Sequence, residues 1–152
     1  MPVDADAAKA LRFEPRTIDV ERGALRFFNK VIGQSDPAYT DIDAARALGH
    51  PDLLVPPTYF FSLGLQSTDD QLGFLTTLGV DLRRILHGEQ SFDYHRLAYA
   101  GDALTLQDRI EDVYAKQGGA LEFILHVTDV VRAGEPIATA RGVIIVRHPE
   151  AP

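Results

Sequence analysis

Apolar residues recur at Val20, Ala24, Phe27, Phe28 and Val31, a spacing that gathers them on one helical face. It predicts a helix over residues 20–32, with Asp19 as N-cap, those five residues as the buried face, and Gly33 as the glycine that ends it. Upstream, residues 1–11 read as a loose or weakly helical lead-in. Phe13 to Ile18 reads as a short strand that Pro15 confines to an edge or bulge. Downstream, Gln34-Ser35-Asp36-Pro37 is rich in turn residues. Thr40 or Asp41 then caps a short helix from Ile42 to Leu48, ended by Gly49. Pro57 suits the first turn of another helix, because its missing N–H has no partner to lose there. From Thr58 to about Leu65 that helix is apolar on nearly every side, which predicts burial all round. Residues 66–83 read as a loop or short helix.

After residue 85 the period changes from helical to alternating. Phe92 and Tyr94 share one face of a strand over Glu89 to Arg96. Gly101-Asp102 turns, and Leu104, Leu106 and Ile110 mark a strand running to Tyr114. Lys116-Gln117-Gly118-Gly119 is a hairpin signal, followed by alternation through Leu121, Phe123, Leu125 and Val127. Ala133-Gly134-Glu135-Pro136 turns again. In the last strand, Ile137 to Arg147, Val143-Ile144-Ile145-Val146 is apolar on both faces, which places it inside the sheet. Helices first and then three or four long antiparallel strands in a meander give an α+β fold, with helices on one face of the sheet.

Composition narrows the function classes. With 152 residues the chain suits a single domain over residues 1–152, with a core from about 13 to 147. Cysteine is absent, which removes disulfides, thiolate catalysis and Cys-based metal sites. The five histidines lack metal-ligand spacing, so no metal is expected. A net charge of −7 without a concentrated basic face argues against a nucleic-acid partner. The arginines at 83, 84, 96, 109, 132, 141 and 147 read mostly as solvated surface. No apolar run approaches the ~20 residues of a membrane span, and the acidic start Met1-Pro2-Val3-Asp4-Ala5-Asp6 lacks a signal-peptide order. Cytoplasm is the expected compartment.

Three separated segments carry a family resemblance. Phe28-Asn29-Lys30-Val31-Ile32-Gly33-Gln34-Ser35-Asp36-Pro37-Ala38-Tyr39, with Asp41, Ala44-Ala45 and Gly49, resembles the hydratase motif of MaoC-like enzymes, Gly-Asp-x-Asn-Pro-x-His. Leu54-Val55-Pro56-Pro57-Thr58 resembles the lead into the central helix of N-terminal-type MaoC dehydratase domains, the branch akin to fatty-acid-synthase dehydratases. The segment His87 to Arg96, followed by Gly101-Asp102, is similar to the same branch. The resemblance implies a hot-dog fold, in which a long antiparallel sheet wraps a central apolar helix. It also implies a hydro-lyase that adds water to a 2-enoyl thioester of coenzyme A or acyl carrier protein, or removes it from the 3-hydroxyacyl thioester. No other cofactor is implied.

The same motif shows losses. In the active enzymes its Asp and His perform the acid–base work, which needs two titratable groups close together. Here Gln34 stands at the Asp position, and an amide takes no proton at neutral pH. Tyr39 stands at the His position, with a reference pKa of ~10. Pro57 falls where the active enzymes tend to carry a glycine whose N–H holds the thioester carbonyl, and proline has no N–H.

The expected catalytic candidates are Asp36, shifted two positions from the motif's acid, and His95. Asp36 also reads as a turn residue bonding its own backbone, and His95 as an exposed strand position. Gln34, Tyr39, Pro57, Thr58 and Phe61 are the expected substrate-binding residues, although Phe60, Phe61 and Leu65 are most simply core. His126, alternating with core residues, reads as a satisfied sheet histidine. Degenerate halves of this kind imply a substrate-binding partner subunit, as a homodimer or as a heterodimer with a catalytic hot-dog chain. The alternatives are an acyl-CoA thioesterase, disfavoured because residues 53–68 contain no Asp or Glu, and a non-enzymatic acyl-thioester binding module.

Overall fold

The computed structural model describes residues 2–149. Five strands form one antiparallel sheet: β1 (Arg16–Asp19), β2 (Ile85–Tyr94), β3 (Ala103–Lys116), β4 (Leu121–Arg132) and β5 (Glu135–Arg147). Their spatial order is β1-β3-β4-β5-β2. The helices are α1 (Ala5–Ala10), α2 (Arg22–Ile32), α3 (Ile42–Ala47), α4 (Tyr59–Gln66) and α5 (Gly73–Thr77). The fold class is the expected one, α+β.

The meander holds for β3, β4 and β5 but does not extend to β2. β2 pairs with β5 at the far side of the sheet instead of with β3, the next strand in sequence. The segment after β2 is pinned elsewhere: Val55 N–H donates to the Ala98 carbonyl, and Ala100 N–H to the Leu53 carbonyl. That connection therefore crosses the end of the domain and cannot close a hairpin. β5 lies between β4 and β2, inside the sheet as its two apolar faces predicted. Edge strand β1 begins directly after Pro15, where the ring costs no ladder bond.

Helix α2 corrects the predicted register. It starts at Arg22 with Glu21 at the N-cap, while Asp19 ends β1. Val20 belongs to the turn next to β1, bonding Gly101 and Asp102 through its backbone. Starting two residues later but ending where expected, the helix buries Leu25 and Asn29 with Phe28 half-buried, an i, i+3, i+4 face. Phe27 and Val31 point outward, 70% and 67% exposed. Gly33 ends the helix at φ 72°, the left-handed geometry foreseen for it. Asp41 caps α3, accepting from the N–H groups of Asp43 and Ala44.

Two apolar clusters fill the concave side of the sheet. One gathers Leu25, Tyr59, Phe60 and Leu63 against Leu104, Leu106 and Val130. The other gathers Val3, Ala8, Leu75 and Val80 against Ile110, Ile124 and Val146. Helix α4 was expected to be buried all round, yet only Tyr59, Phe60 and Leu63 are. Phe61 and Leu65 remain about two-fifths exposed, at 41% and 42%. Their flank of α4 faces open space between the two clusters.

Candidate functional site

That open space has a floor laid down by strand register. Inner-face residues alternate along each strand, so neighbours on adjacent strands form rows. One row is Asp108 on β3, Thr128 on β4, Ala140 on β5 and Phe92 on β2. The next is Ile110, His126, Gly142 and Gln90. Ala140 and Gly142 keep the middle of the floor low. A Cβ added at Gly142 would sit 3.2 Å from Gln90 Oε1, so the missing side chain is part of the shape. The other walls come from Phe60, Phe61 and Leu65 of α4, with Leu72 and Phe74 after it. They enclose a cavity of about 480 Å³, within the range of small-molecule sites.

The walls are mostly apolar, with Thr68, Asp70 and Gln71 entering from the loop after α4, and the floor is polar. The Asp108 carboxylate is 2% exposed and lies 2.6 Å from Arg16 Nη2. It also accepts a hydrogen bond from the Thr128 hydroxyl at 2.6 Å. His126 Nε2 stands 3.5 Å from the same carboxylate. The His126 ring stacks on Phe74 and meets Phe13 edge-on, with centroids 5.4 and 5.9 Å away. Burial pushes the His126 pKa below that of an ordinary histidine; nearby Asp108 opposes the shift and Arg16 adds to it. Arg16 Nε is buried with no hydrogen-bond partner among the described residues. Across the trough, His87 Nε2 and Gln90 Oε1 are 3.3 Å apart, and the His87 ring stacks on Phe61.

Of the residues expected to catalyse or to bind substrate, Phe61 alone lines this cavity; Phe60 and Leu65, expected in the core, and His126 line it as well. In the loop over residues 33–39, Gln34 and Asp36 bond the loop's own backbone. Gln34 Oε1 accepts from the Asp36 N–H, and the Asp36 carboxylate accepts from the Ala38 N–H. The Tyr39 carbonyl accepts from the Asn29 amide on α2. Pro57 precedes α4 and its carbonyl accepts from the Tyr94 hydroxyl at 2.9 Å. Thr58 occupies the N-cap of α4 without a side-chain capping bond, and the Tyr59 N–H is taken by the Pro56 carbonyl. His95 lies 3.3 Å from the Thr139 hydroxyl, which in turn donates to Asp129. Thr139 and Asp129 fall on the strand parity opposite to Ala138, Ala140 and Thr128, so His95 belongs to the outer face of the sheet. No described contact joins it to Asp36.

Arg16, Asp108, Thr128, Gln90 and His87 were not picked out as a group, and His126 was read as structural. One signal was available. In Leu104-x-Leu106-x-Asp108-x-Ile110 a carboxylate occupies an inward position of an otherwise apolar alternation. Its partners come from two other strands, β1 and β4, and could not be read from local pattern. Several of the arginines expected at the solvated surface are also ion-paired there: Arg132 with Asp102 at 2.7 Å, and Arg109 and Arg141 with Asp129 and Asp93.

Among the described residues, no group of three or more His, Asp or Glu side chains could hold a metal ion, and no helix is long and apolar enough to cross a membrane.

Comparison with known proteins agrees with this architecture. The chain is 38% identical over 134 residues to a UPF0336 protein of Streptomyces coelicolor, covering 87% of each. Among solved structures, the ChsH1–ChsH2 complex from Mycobacterium tuberculosis superposes with a TM-score of 0.76 at 25% identity, covering 97% of this chain and 95% of that one. The C-terminally truncated HadBC (3R-hydroxyacyl-ACP dehydratase) complex from the same organism shares the fold, with a TM-score of 0.75 at 23% identity over 91% of this chain and 98% of that one. Residues 7–140 match the family described as the FAS1-like dehydratase domain region. The chain therefore belongs to that family, and its hot-dog fold is that of the MaoC-like dehydratases.

Proposed function

We propose that this chain is the acyl-binding subunit of a hot-dog hydro-lyase acting on 2-enoyl or 3-hydroxyacyl thioesters, whose acid–base pair comes from a second hot-dog chain. The observation that carries the reading is the largely apolar cavity beside α4, paired with a motif loop in which Gln34 and Asp36 bond the loop's own backbone. A cavity of this shape accepts an acyl chain. The loop offers no closely spaced acid and base for proton transfer.

The sheet edge supports a partner. Among the described residues β2 pairs only with β5, so its other edge presents unpaired N–H and C=O groups over ten residues. Leu86 and Tyr94 of that strand are 47% and 50% exposed. A second hot dog aligned there would continue the sheet. Two-component assembly also fits the names of the similar structures, HadBC and ChsH1–ChsH2, both complexes. The thioester is that of coenzyme A or an acyl carrier protein.

Hydration of crotonyl-CoA tests the reading, measured with the chain alone and with a hydratase-like hot-dog chain that carries the Asp and His. Activity is expected only in the mixture, together with a heterodimer by native mass measurement. Robust turnover by the chain alone, lost in Asp36→Ala or His95→Ala, would overturn the non-catalytic role.

A further inference from the structure

We propose that the polar floor of the cavity binds a neutral oxygen, a hydroxyl or keto group, carried on the acyl chain beyond its reacting carbons C2 and C3. The inference rests on the acyl-thioester reading and narrows the substrate class.

Position is the first argument. The inner face of the sheet is apolar on both sides of the floor, with Leu106 and Val130 toward one cluster and Ile110 and Ile124 toward the other. Between them Asp108, Thr128, His126 and Gln90 cross three strands in two adjacent rows. A site evolved for a plain alkyl chain would continue the apolar lining. Methylenes laid over these groups exclude water from them and return no hydrogen bond, which is costly.

Charge is the second. Arg16 and Asp108 neutralise one another at 2.6 Å. Burial keeps the neighbouring His126 in its neutral form at neutral pH. The floor thus presents dipoles without net charge. A carboxylate on the ligand would meet Asp108, and an ammonium would meet Arg16.

Unused hydrogen-bonding capacity is the third. The buried Arg16 Nε–H has no partner among the described residues. His126 Nε2, at 3.5 Å from Asp108, lies beyond a good hydrogen bond, so the imidazole retains capacity for another group. A hydroxyl can both donate and accept, and a keto oxygen can accept from either donor. Gly142 lies between His126 and Gln90 in the same row, and its lack of a side chain leaves room for such an oxygen.

Isothermal titration calorimetry on the full chain provides the test. The ligands are dodecanoyl-CoA and a set of dodecanoyl-CoAs hydroxylated at successive carbons from C4 toward the chain end. At least one hydroxylated chain should bind about fivefold tighter than the parent, the worth of one net hydrogen bond. His126→Phe and Gln90→Leu should each shrink the ratio of hydroxylated to parent affinity, whatever they do to dodecanoyl-CoA binding itself. Thermal melts verify both folds, and Gln90→Leu leaves the Arg16–Asp108 pair untouched if His126→Phe fails to fold. Equal binding of parent and all hydroxylated chains overturns the inference, as does a preference that survives both variants. If dodecanoyl-CoA binds and hydroxylation makes no difference, only the inference falls. If no acyl-CoA binds at all, the acyl-thioester reading falls and takes the inference with it.

Discussion

Replacing Asp108 with alanine removes the one carboxylate that serves Arg16, Thr128 and His126 together. Its side chain is 2% exposed and its partner Arg16 is 26% exposed. Deleting one member of a buried ion pair strands the other charge and typically costs about 3–5 kcal/mol. Water reaches part of the Arg16 side chain, so we expect a value at or somewhat below the bottom of that range, about 2–4 kcal/mol. The Thr128 hydroxyl also loses its acceptor, a further ~1 kcal/mol at most if water cannot replace it. Against a total stability of roughly 5–15 kcal/mol for a domain, the loss is large. Urea unfolding at pH 7 measures it as a lower midpoint with an unchanged slope. The double replacement Arg16→Leu with Asp108→Leu removes both charges and should recover most of the loss, because paired removal leaves nothing stranded. A loss below about 1 kcal/mol in Asp108→Ala, or a double variant no better than the single one, would refute the claim that burial of this pair governs its energetics.

Burial holds the His126 pKa down, so the folded state resists protonation that the unfolded chain accepts near pH 6.5. Stability should therefore fall as pH drops below about 6.5, until the folded pKa is passed, and His126→Phe should flatten that segment of the pH–stability curve in parallel unfolding titrations. Asp81, held at about 2 first by its side-chain bond to Arg83, acts in a separate window. Its contribution is present above its ordinary value of 3.8 and disappears as pH falls toward 2, so Asp81→Asn should flatten the acid end of the curve in that window and leave its slope above pH 5 unchanged. Gly142→Val should fill the floor and lower dodecanoyl-CoA affinity at least tenfold by calorimetry, and unchanged affinity would exclude the cavity as the acyl site. Asp41→Ala should cost about 1 kcal/mol by removing the α3 cap, and no change would show that the cap bonds are replaced by water.

The sequence by itself determined most of the local elements. Gly33 and Asp41 did so through chemistry that needs no distant partner: a residue free to take positive φ, and a carboxylate able to satisfy two free N–H groups. Alternation from Leu104 onward announced long strands, and the three motif segments carried the family. The register of α2 was not legible, because Val20 is claimed by backbone bonds to Gly101 and Asp102, far along the chain. The same limit hid the pairing of β2 with β5, since periodicity names a strand without naming its neighbour. The cavity floor depends on that pairing. Asp108, His126, Gly142 and Gln90 come from four strands and meet only through cross-strand register, which tertiary structure alone decides. Local pattern could mark Asp108 as a charge at an inward position; only the folded sheet supplied Arg16, Thr128 and His126 to accompany it, because their contacts span long stretches of chain.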